Sequence, residues 1–237
     1  PYRSKRRRRW LSTVRGEIAK EKVPLSRQVS KLENEVIALE RRRAELFAER
    51  GYDATSTRTI AEAVGLNIAT VAYHVGGKNE LYLEVMRQAH QAQGEALAGP
   101  LRDLQDAGSS PAQVRAGLTA FVDSYLSFCV ANPHVPALWM RRWLAEGTDV
   151  AQLEADYAGP LVQQVSTVVR ELLDRAGLAA GLDVDMLVFS IVWSCHSFVR
   201  AGIIDHSGRR LEPHEVAMLD RFRRHLHDVV DRLVDRP

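Results

Sequence analysis

Hydrophobic positions recur every three or four residues along most of the chain, which is the spacing of one face of an α-helix. The first regular run has the alternating four- and three-residue steps of a coiled coil over about two heptads: Leu25, Val29, Leu32, Val36 and Leu39. We find no strict alternation of apolar and polar residues, which would mark a half-buried strand. The pattern therefore predicts an all-α protein without a sheet.

Two short helical patterns follow this long one, and a glycine separates them. Ser56 or Thr57 can cap the first short helix, which Gly65 ends. Asn67 can cap the second, which runs to about residue 74. Helices this short are marginal in isolation, so we expect both to depend on packing against the preceding helix.

A third helix of this region is predicted from Lys78 to about Ala98, where Gly99-Pro100 should stop it. Beyond it, loops rich in glycine, proline and small polar residues separate further helical patterns. These are expected at 101–107, 111–131, 134–146, 149–176, 183–205 and 213–235. Gly159-Pro160 predicts a kink or a break within the helix 149–176.

The charge of the chain is unevenly distributed about a net value of +2. Residues 1–98 carry 18 Lys and Arg against 12 Asp and Glu, whereas residues 99–237 carry 14 against 18. A basic part joined to an acidic part favours an anionic polymer as partner, with nucleic acid as the leading candidate. We expect three parts: a basic arm at 1–24, a helical domain at 25–98 and a second helical domain at 99–237.

The arm at 1–24 holds a dense basic cluster that includes Arg6, Arg7, Arg8 and Arg9. Like charges at this density repel one another until an anion neutralises them. Contact with DNA phosphates or with a minor groove is the favoured interpretation. A solvated tail is the alternative.

Two short helices joined by a glycine-containing turn are the pattern of a helix-turn-helix, whose second helix enters the major groove of DNA. The residue types agree with this interpretation. Thr57 and Thr70 offer hydroxyl groups and Lys78 offers a charge, all suited to phosphate oxygens. Ile68 and Ala69 could touch thymine methyl groups.

Four other residues of this segment allow two interpretations each. Asn67 can pair with adenine or only cap its helix. Tyr73 and His74 can bind the DNA backbone, although one of them could instead pack inside the protein. Arg58 is either a phosphate contact or a solvated surface charge.

The segment LFAERGYDATSTRTIAEAVGLNIATVAYHVGGKNELY, residues 46–82, resembles the DNA-binding domain of the TetR family of bacterial transcriptional regulators. The matching residues are Leu46, Phe47, Gly51, Tyr52, Thr57, Ile60, Ala61, Gly65, Thr70, Tyr73, His74 and Lys78. The resemblance implies a three-helix DNA-binding domain that reads a palindromic operator in double-stranded DNA. It also implies a C-terminal domain that binds a small effector and forms a homodimer, and it favours a repressor.

The chain departs from the family pattern at three positions. Arg42 and Arg43 stand where the family commonly has small apolar residues, which suggests an altered first helix. Ala72 stands where the family often has an aromatic residue, so Tyr73 is expected to take over part of the DNA contact.

Two C-terminal helices are candidates for the dimer interface. The segment 183–205 is apolar around much of its circumference, and 213–235 repeats apolar positions along its length. Two such helices from each subunit could form a four-helix bundle across a two-fold axis.

Aromatic and polar-tipped residues gather in the middle helices, where they could line an apolar effector pocket or form plain core. The candidates are Phe121, Tyr125, Trp139, Trp143, Tyr157, Trp193 and His196. A histidine on an apolar face, such as His196, is more often a satisfied core residue than a ligand contact.

Other functional classes receive less support from the residues. No nucleophile elbow, phosphate-binding loop or metal-ligand spacing appears, so we expect no enzymatic activity, no cofactor and no metal. A helical interaction module whose basic N-terminal extension docks an acidic partner is the main alternative. Deleting residues 1–24 would abolish all partner binding in that case, whereas a DNA-binding protein would keep weaker but sequence-specific binding.

The sequence also bears on compartment. It has no long uninterrupted apolar run and no apolar segment after its basic N-terminus. Cys129 and Cys195 lie within apolar helical patterns and are expected to be buried small residues. We therefore expect a cytoplasmic protein without a membrane partner.

Overall fold

The computed structural model of the chain describes residues 40–63, 65, 77–144, 152–178 and 181–234. The chain divides into two compact units, residues 1–43 and 44–237. The predicted basic arm and the heptad positions from Leu25 to Leu39 lie outside the described residues. The second unit holds the hydrophobic core.

The first helix ends, and the second begins, where the sequence predicts. Residues 40–50 are helical (α1), and Gly51 follows with a positive φ of 79° while its N–H donates to the Phe47 carbonyl at 2.9 Å. Helix α2 spans Thr57–Ala63. Its cap is Ser56, whose hydroxyl accepts from the backbone N–H of Thr59 at 3.0 Å.

The third described helix, α3, spans Lys78–Gln105 and is longer than predicted. The expectation that Gly99-Pro100 stops it is wrong, because Pro100 lies inside the helix. Leu97, Leu101 and Leu104 are all buried, so packing on both sides of the proline outweighs the one hydrogen bond that it removes. The division between domains predicted at residue 98 therefore falls inside a continuous helix.

Helices α4 (Pro111–Ala131) and α5 (His134–Leu144) follow at the predicted positions. The predicted helix 149–176 is described from residue 152, and its predicted irregularity is a π-helical turn at Glu154–Ala158 that leads into α6, Gly159–Arg175. A Cβ added at Gly159 would lie 3.0 Å from the Glu154 carbonyl oxygen, so the glycine allows the close approach.

Helix α7 spans Val184–Ala201 and ends earlier than the predicted residue 205. Gly202 follows it with a positive φ of 64°, and an added Cβ there would collide with the Leu211 carbonyl oxygen. The chain then forms a two-stranded antiparallel hairpin, β1 (Ile203–Ile204) and β2 (Arg210–Leu211), before α8 at Val216–Val234. The expectation of no sheet is wrong, because strands of two residues are too short to produce a visible alternation.

The core is a cluster of buried apolar side chains to which each of the helices α1 to α8 contributes. Helix α4 packs against α3 and α8, and α7 packs against α4, α5 and α6. The all-α architecture predicted from the sequence is confirmed, apart from the hairpin.

Two of these helices, α4 and α7, are long and apolar enough by length and composition to cross a membrane. Core helices of other proteins pass the same test, and both helices contribute buried residues to the core here. The feature is therefore weak evidence for a membrane span.

Candidate functional site

The described residues between 44 and 82, which run from α1 to the start of α3 and are called the head here, are held together by one apolar contact region. Leu46, Phe47 and Ile60 are each at most 1% exposed, and all three belong to the core cluster. The Phe47 ring meets the Tyr82 ring of α3 edge-on, with 5.1 Å between centroids. Helices α1, α2 and α3 therefore pack together, as expected of short helices that cannot be stable alone.

Two residues predicted to contact DNA lie in the first turn of α2. Thr57 is half-buried and Arg58 is exposed. The Arg58 guanidinium lies 3.7 Å from the Glu62 carboxylate, and both side chains are more than 70% exposed. An ion pair this exposed is weak, so Arg58 can exchange Glu62 for a phosphate at little cost.

Lys78, the third described candidate, lies at the start of α3. Its ammonium donates to the Asp53 carbonyl at 3.2 Å and lies 4.2 Å from the centre of the Tyr52 ring. The Tyr52 ring in turn packs edge-on against Tyr82 at 5.1 Å. Lys78 thus fastens the turn after α1 to α3, and an ammonium with three donors retains capacity for an anion.

The remaining DNA-binding candidates lie outside the described residues. These are Asn67, Ile68, Ala69, Thr70, Tyr73 and His74, together with Arg6, Arg7, Arg8 and Arg9 of the arm. Their DNA contacts stay predictions from the sequence. Gly65 is described, and its positive φ of 69° agrees with the predicted end of α2.

A largely apolar, partly open cavity lies among α3, α4, α5, α6, α7 and α8. Its volume is about 100 Å³, against roughly 10–15 Å³ for a single water molecule. Among the described residues, its polar lining side chains are His90, Gln93, Tyr125 and His196, and the rest are aliphatic or aromatic. Such a cavity suits a small apolar molecule with few polar groups.

Five of the seven predicted effector residues line this cavity: Phe121, Tyr125, Trp139, Trp143 and His196. The other two do not line the cavity but contact residues that do. Tyr157 has its ring centre 5.5 Å from that of His90, and Trp193 stacks on Trp143 at 5.9 Å. The sequence prediction thus identified one wall of a real cavity, and the effector role of these residues stays a prediction.

His196 is the most constrained polar side chain of the cavity. It is 2% exposed, and its Nε2 lies 2.8 Å from the Tyr125 hydroxyl. Its ring stacks on the Trp143 ring at 5.5 Å, with 10° between the planes. Its Nδ1 is buried and has no hydrogen-bond partner among the described residues. His196 is therefore only half satisfied, unlike an ordinary core histidine.

Burial sets the protonation of the polar groups around the cavity. It lowers the pKa of His196 to about 4, because the charged imidazolium would lose its hydration. Burial also lowers the pKa of His90 and raises that of Tyr125. His196 and Tyr125 are therefore neutral near pH 7, and their contact is a hydrogen bond between uncharged groups.

The sequence interpretation did not predict that α3 and several aliphatic residues line the cavity. His90 and Gln93 of α3 line the cavity, as do Val165 of α6 and Val188 of α7. Their helical spacing indicated buried faces, but aliphatic residues at that spacing do not distinguish a cavity wall from solid core.

The two cysteines are free and buried, as the sequence predicts. Burial raises the pKa of Cys129 to about 12, so its thiol is unreactive near pH 7. Within the described part of the chain, no three His, Cys, Asp or Glu side chains come close enough together to hold a metal ion.

Comparisons with known proteins address the head and the fold separately. Residues 44–85, which run from α1 into α3, match the family described as "Bacterial regulatory proteins, tetR family". No curated protein matches the chain.

Solved structures of similar fold include the TetR family transcriptional regulator PfmR from Thermus thermophilus. It is 19% identical with a TM-score of 0.59, and the match covers 84% of this chain and 97% of that one. AibR "in complex with isovaleryl coenzyme A and operator DNA" is 18% identical with a TM-score of 0.62, covering 82% and 97%. FadR from Bacillus subtilis "in complex with stearoyl-CoA" is 13% identical with a TM-score of 0.59, covering 84% and 98%.

The family match and the all-helical fold agree on the class of protein. Residues 44–85 match the N-terminal domain of the tetR family, and the chain as a whole has the fold of solved TetR-family regulators. The match and the shared fold together support a DNA-binding transcriptional regulator.

Proposed function

We propose that the protein is a cytoplasmic homodimer that represses transcription from a palindromic operator and is released from it by a small apolar effector. The observation that carries this proposal is the match of residues 44–85 to the tetR family, in the same compact unit as a largely apolar cavity. The first feature supplies a DNA-binding domain, and the second supplies space for a ligand.

The DNA-binding part of the proposal draws on charge and on the head. Residues 1–98 carry 18 basic against 12 acidic residues, which favours a polyanionic partner. Thr57, Arg58 and Lys78 are each at least partly exposed at the start of a helix, where side chains and backbone N–H groups suit phosphate oxygens. We assign recognition of the DNA bases to residues 67–74.

The dimer is proposed through the outer faces of α7 and α8. Met186 and Phe189 of α7 are 56% and 55% exposed, and Val216 at the start of α8 is 76% exposed. Phe222 and Leu226 are buried within their own chain, so the interface on α8 must use residues other than these. Apolar side chains this exposed favour a protein partner, and a second copy of the chain would repeat the head about 34–36 Å away on DNA.

The coupling between cavity and head is proposed to run through α3. This helix begins at Lys78 in the head and carries His90 and Gln93 at the cavity wall, about 18 and 22 Å further along its axis. A ligand that prefers one position of α3 would therefore also select one position of the head. A preference of about 1–3 kcal/mol gives roughly 5- to 150-fold coupling between ligand and DNA.

Selection of bound DNA from a random pool tests the proposal most directly. The purified full-length chain should enrich a palindromic sequence whose half-sites lie one helical turn of DNA apart. Competition with an unrelated duplex of equal length is the control for non-specific binding. Recovery of no common sequence, or of a motif without two-fold symmetry, would contradict the proposed operator.

A further inference from the structure

A groove between α3 and α6 adjoins the cavity. The groove follows one side of α3 from His90 to Gln105, about 22 Å along the helix axis, and α6 forms its other side. His90, Leu97 and Leu161 line both the groove and the cavity. The two spaces therefore meet at these three side chains.

The cavity and the groove differ in polarity. No Asp, Glu, Lys or Arg side chain lines the cavity among the described residues, and its two histidines are neutral near pH 7 because burial lowers their pKa values. The groove is lined by three exposed polar side chains, Arg102, Gln105 and Gln164, and by no acidic side chain in the part of the chain that the structure describes. A molecule that occupies both spaces thus meets a mainly apolar surface at one end and solvent-exposed polar groups at the other.

Arg102 supplies the one full charge among the described residues that line either space. Its guanidinium makes no ion pair with the described residues, so its N–H donors are available to a ligand. The nearby Asp103 and Asp106 do not line the groove. A second guanidinium lies at the same end, because Arg175 donates to the Gln105 backbone carbonyl oxygen at 3.0 Å. Two positive groups at one end of the groove favour an anion there.

We propose that the cavity and the groove together bind an amphiphile, whose apolar chain lies in the cavity and whose anionic head, a carboxylate or a phosphate, pairs with Arg102. The proposal rests on the function proposed above and specifies its effector, which is apolar in the part that enters the cavity. Arg102 lies five residues beyond the shared Leu97, about 7.5 Å along α3. The chain must cross this distance before it reaches the cavity, so a short acid such as acetate does not reach both sites.

A titration of the full chain at pH 7.5 in the absence of DNA tests the proposal. The probes are decanoate, decyl phosphate, 1-decanol and decyltrimethylammonium, which share a ten-carbon chain and differ in their head. Trp139 and Trp143 line the cavity, so tryptophan fluorescence reports entry of the chain. We expect the tighter of the two anions, which identifies the head, to bind at least about fivefold more tightly than the cation. Equal or tighter binding of the cation, or no binding of any ten-carbon probe, would overturn the proposal.

Substitutions at Arg102 locate the head of the ligand. Arg102→Glu reverses the charge at an exposed position of the groove. It should lower the affinity for the preferred anion about tenfold and leave that for 1-decanol within about twofold. Arg50→Glu makes the same change of charge at an exposed position of α1 outside both spaces, and it should leave both affinities in place. An equal effect of the two substitutions on the anion would overturn the assignment of Arg102.

A second pair of substitutions locates the chain. Val165 of α6 lines the cavity but not the groove, and Val165→Phe fills part of the cavity with a ring. The affinities for the preferred anion and for 1-decanol should therefore fall together, by about tenfold. Val188→Phe makes the same change from α7 and provides a second reading if Val165→Phe folds poorly. Unchanged affinity for 1-decanol in both variants would show that the chain lies outside the cavity, which would overturn the proposal.

The failure of this proposal and the failure of the regulatory function are distinguishable. Because no DNA is present in the titrations, a failure of operator binding would leave their results unaffected. A failure of all probes to bind would likewise leave the DNA selection unaffected. If the probes bind as expected but the preferred anion does not weaken binding to the selected operator, the ligand site is supported and its regulatory role is contradicted.

Discussion

Arg141 of α5 holds the C-terminal end of α1 through the backbone of Ala48. Its Nε donates to the Ala48 carbonyl oxygen at 2.6 Å, and its Nη2 donates to the carbonyl oxygen of Glu49. These carbonyls belong to the last turn of α1, where the helix itself offers them no backbone donors. The same short helix α5 carries Trp139 and Trp143 at the cavity wall, so it touches both the head and the cavity.

We expect Arg141→Ala to lower the free energy of unfolding by about 2 kcal/mol, because it removes two charged hydrogen bonds to backbone carbonyls, of which the one to Ala48 is part-buried. It should also weaken operator binding, since α1 braces the head. The measurements are urea denaturation and DNA titration by fluorescence anisotropy.

Arg175→Ala is the matched control for this substitution. Arg175 also donates to carbonyls near a helix end, those of Gln105 and Ala107, but these contacts are exposed. Its loss should change the unfolding free energy by less than about 1 kcal/mol and leave DNA affinity intact. Equal DNA affinities of Arg141→Ala and the wild type would show that α5 does not support the head.

Lys78→Ala is expected to weaken operator binding about threefold to tenfold and to make it less sensitive to salt. Each lost phosphate contact should reduce the slope of log affinity against log salt by about 0.9. Arg102→Ala is the control, because this exposed basic residue lies on the same helix about 36 Å further along. An identical salt slope for the wild type and Lys78→Ala would remove Lys78 from the DNA contact.

Thr70→Ala should also weaken operator binding, by about threefold, through loss of a hydroxyl donor to the DNA backbone. Anisotropy titrations against the selected palindrome and against unrelated DNA provide the measurement. A phosphate contact predicts a similar loss on both duplexes, whereas unchanged affinity on both would place Thr70 away from DNA.

Phe189→Glu is expected to convert the proposed dimer into a monomer. Phe189 is 55% exposed and stacks on Trp193 at 6.0 Å, so a charge there would be buried at the proposed interface. We expect the dimer dissociation constant to rise at least about 30-fold, measured by sedimentation. Ala92→Glu, on the exposed surface of α3, should remain dimeric. A Phe189→Glu variant that still sediments as the wild-type dimer would contradict the α7 interface.

The buried His196 predicts a defined loss of stability in acid. Its folded pKa of about 4 lies below the ordinary value of 6.5, so between these values the unfolded chain binds the proton first. The stabilising effect of a neutral His196 is complete above about pH 6.5 and is lost as the pH falls to about 4, by on the order of 3 kcal/mol.

Chemical denaturation of the wild type and of His196→Phe from pH 7.5 to 4 measures this contribution. The lowered pKa of His90, which lines the same cavity, acts in the same direction in both proteins. The wild type should therefore lose more stability than His196→Phe, while Tyr125 stays neutral throughout. Parallel pH profiles would contradict the lowered pKa of His196.

The local features of the head could be read from the order of residues alone. The Ser56 cap, the positive φ of Gly51 and Gly65, and the family resemblance all depend on neighbours within a few positions. The same local rules misjudged Pro100, because they do not register the buried leucines that keep α3 helical on either side of it.

The cavity and its polar contact depended on long-range packing. Tyr125 and His196 are 71 positions apart, and Arg141 and Ala48 are 93 apart, yet each pair forms a hydrogen bond. Periodicity indicates which face of a helix is buried, but it does not tell which helix covers that face or where a space remains between them. The local sequence pattern therefore predicts the class of fold and favours nucleic acid as the partner. The lining of the cavity and the contact between α5 and α1 depend instead on how the helices pack.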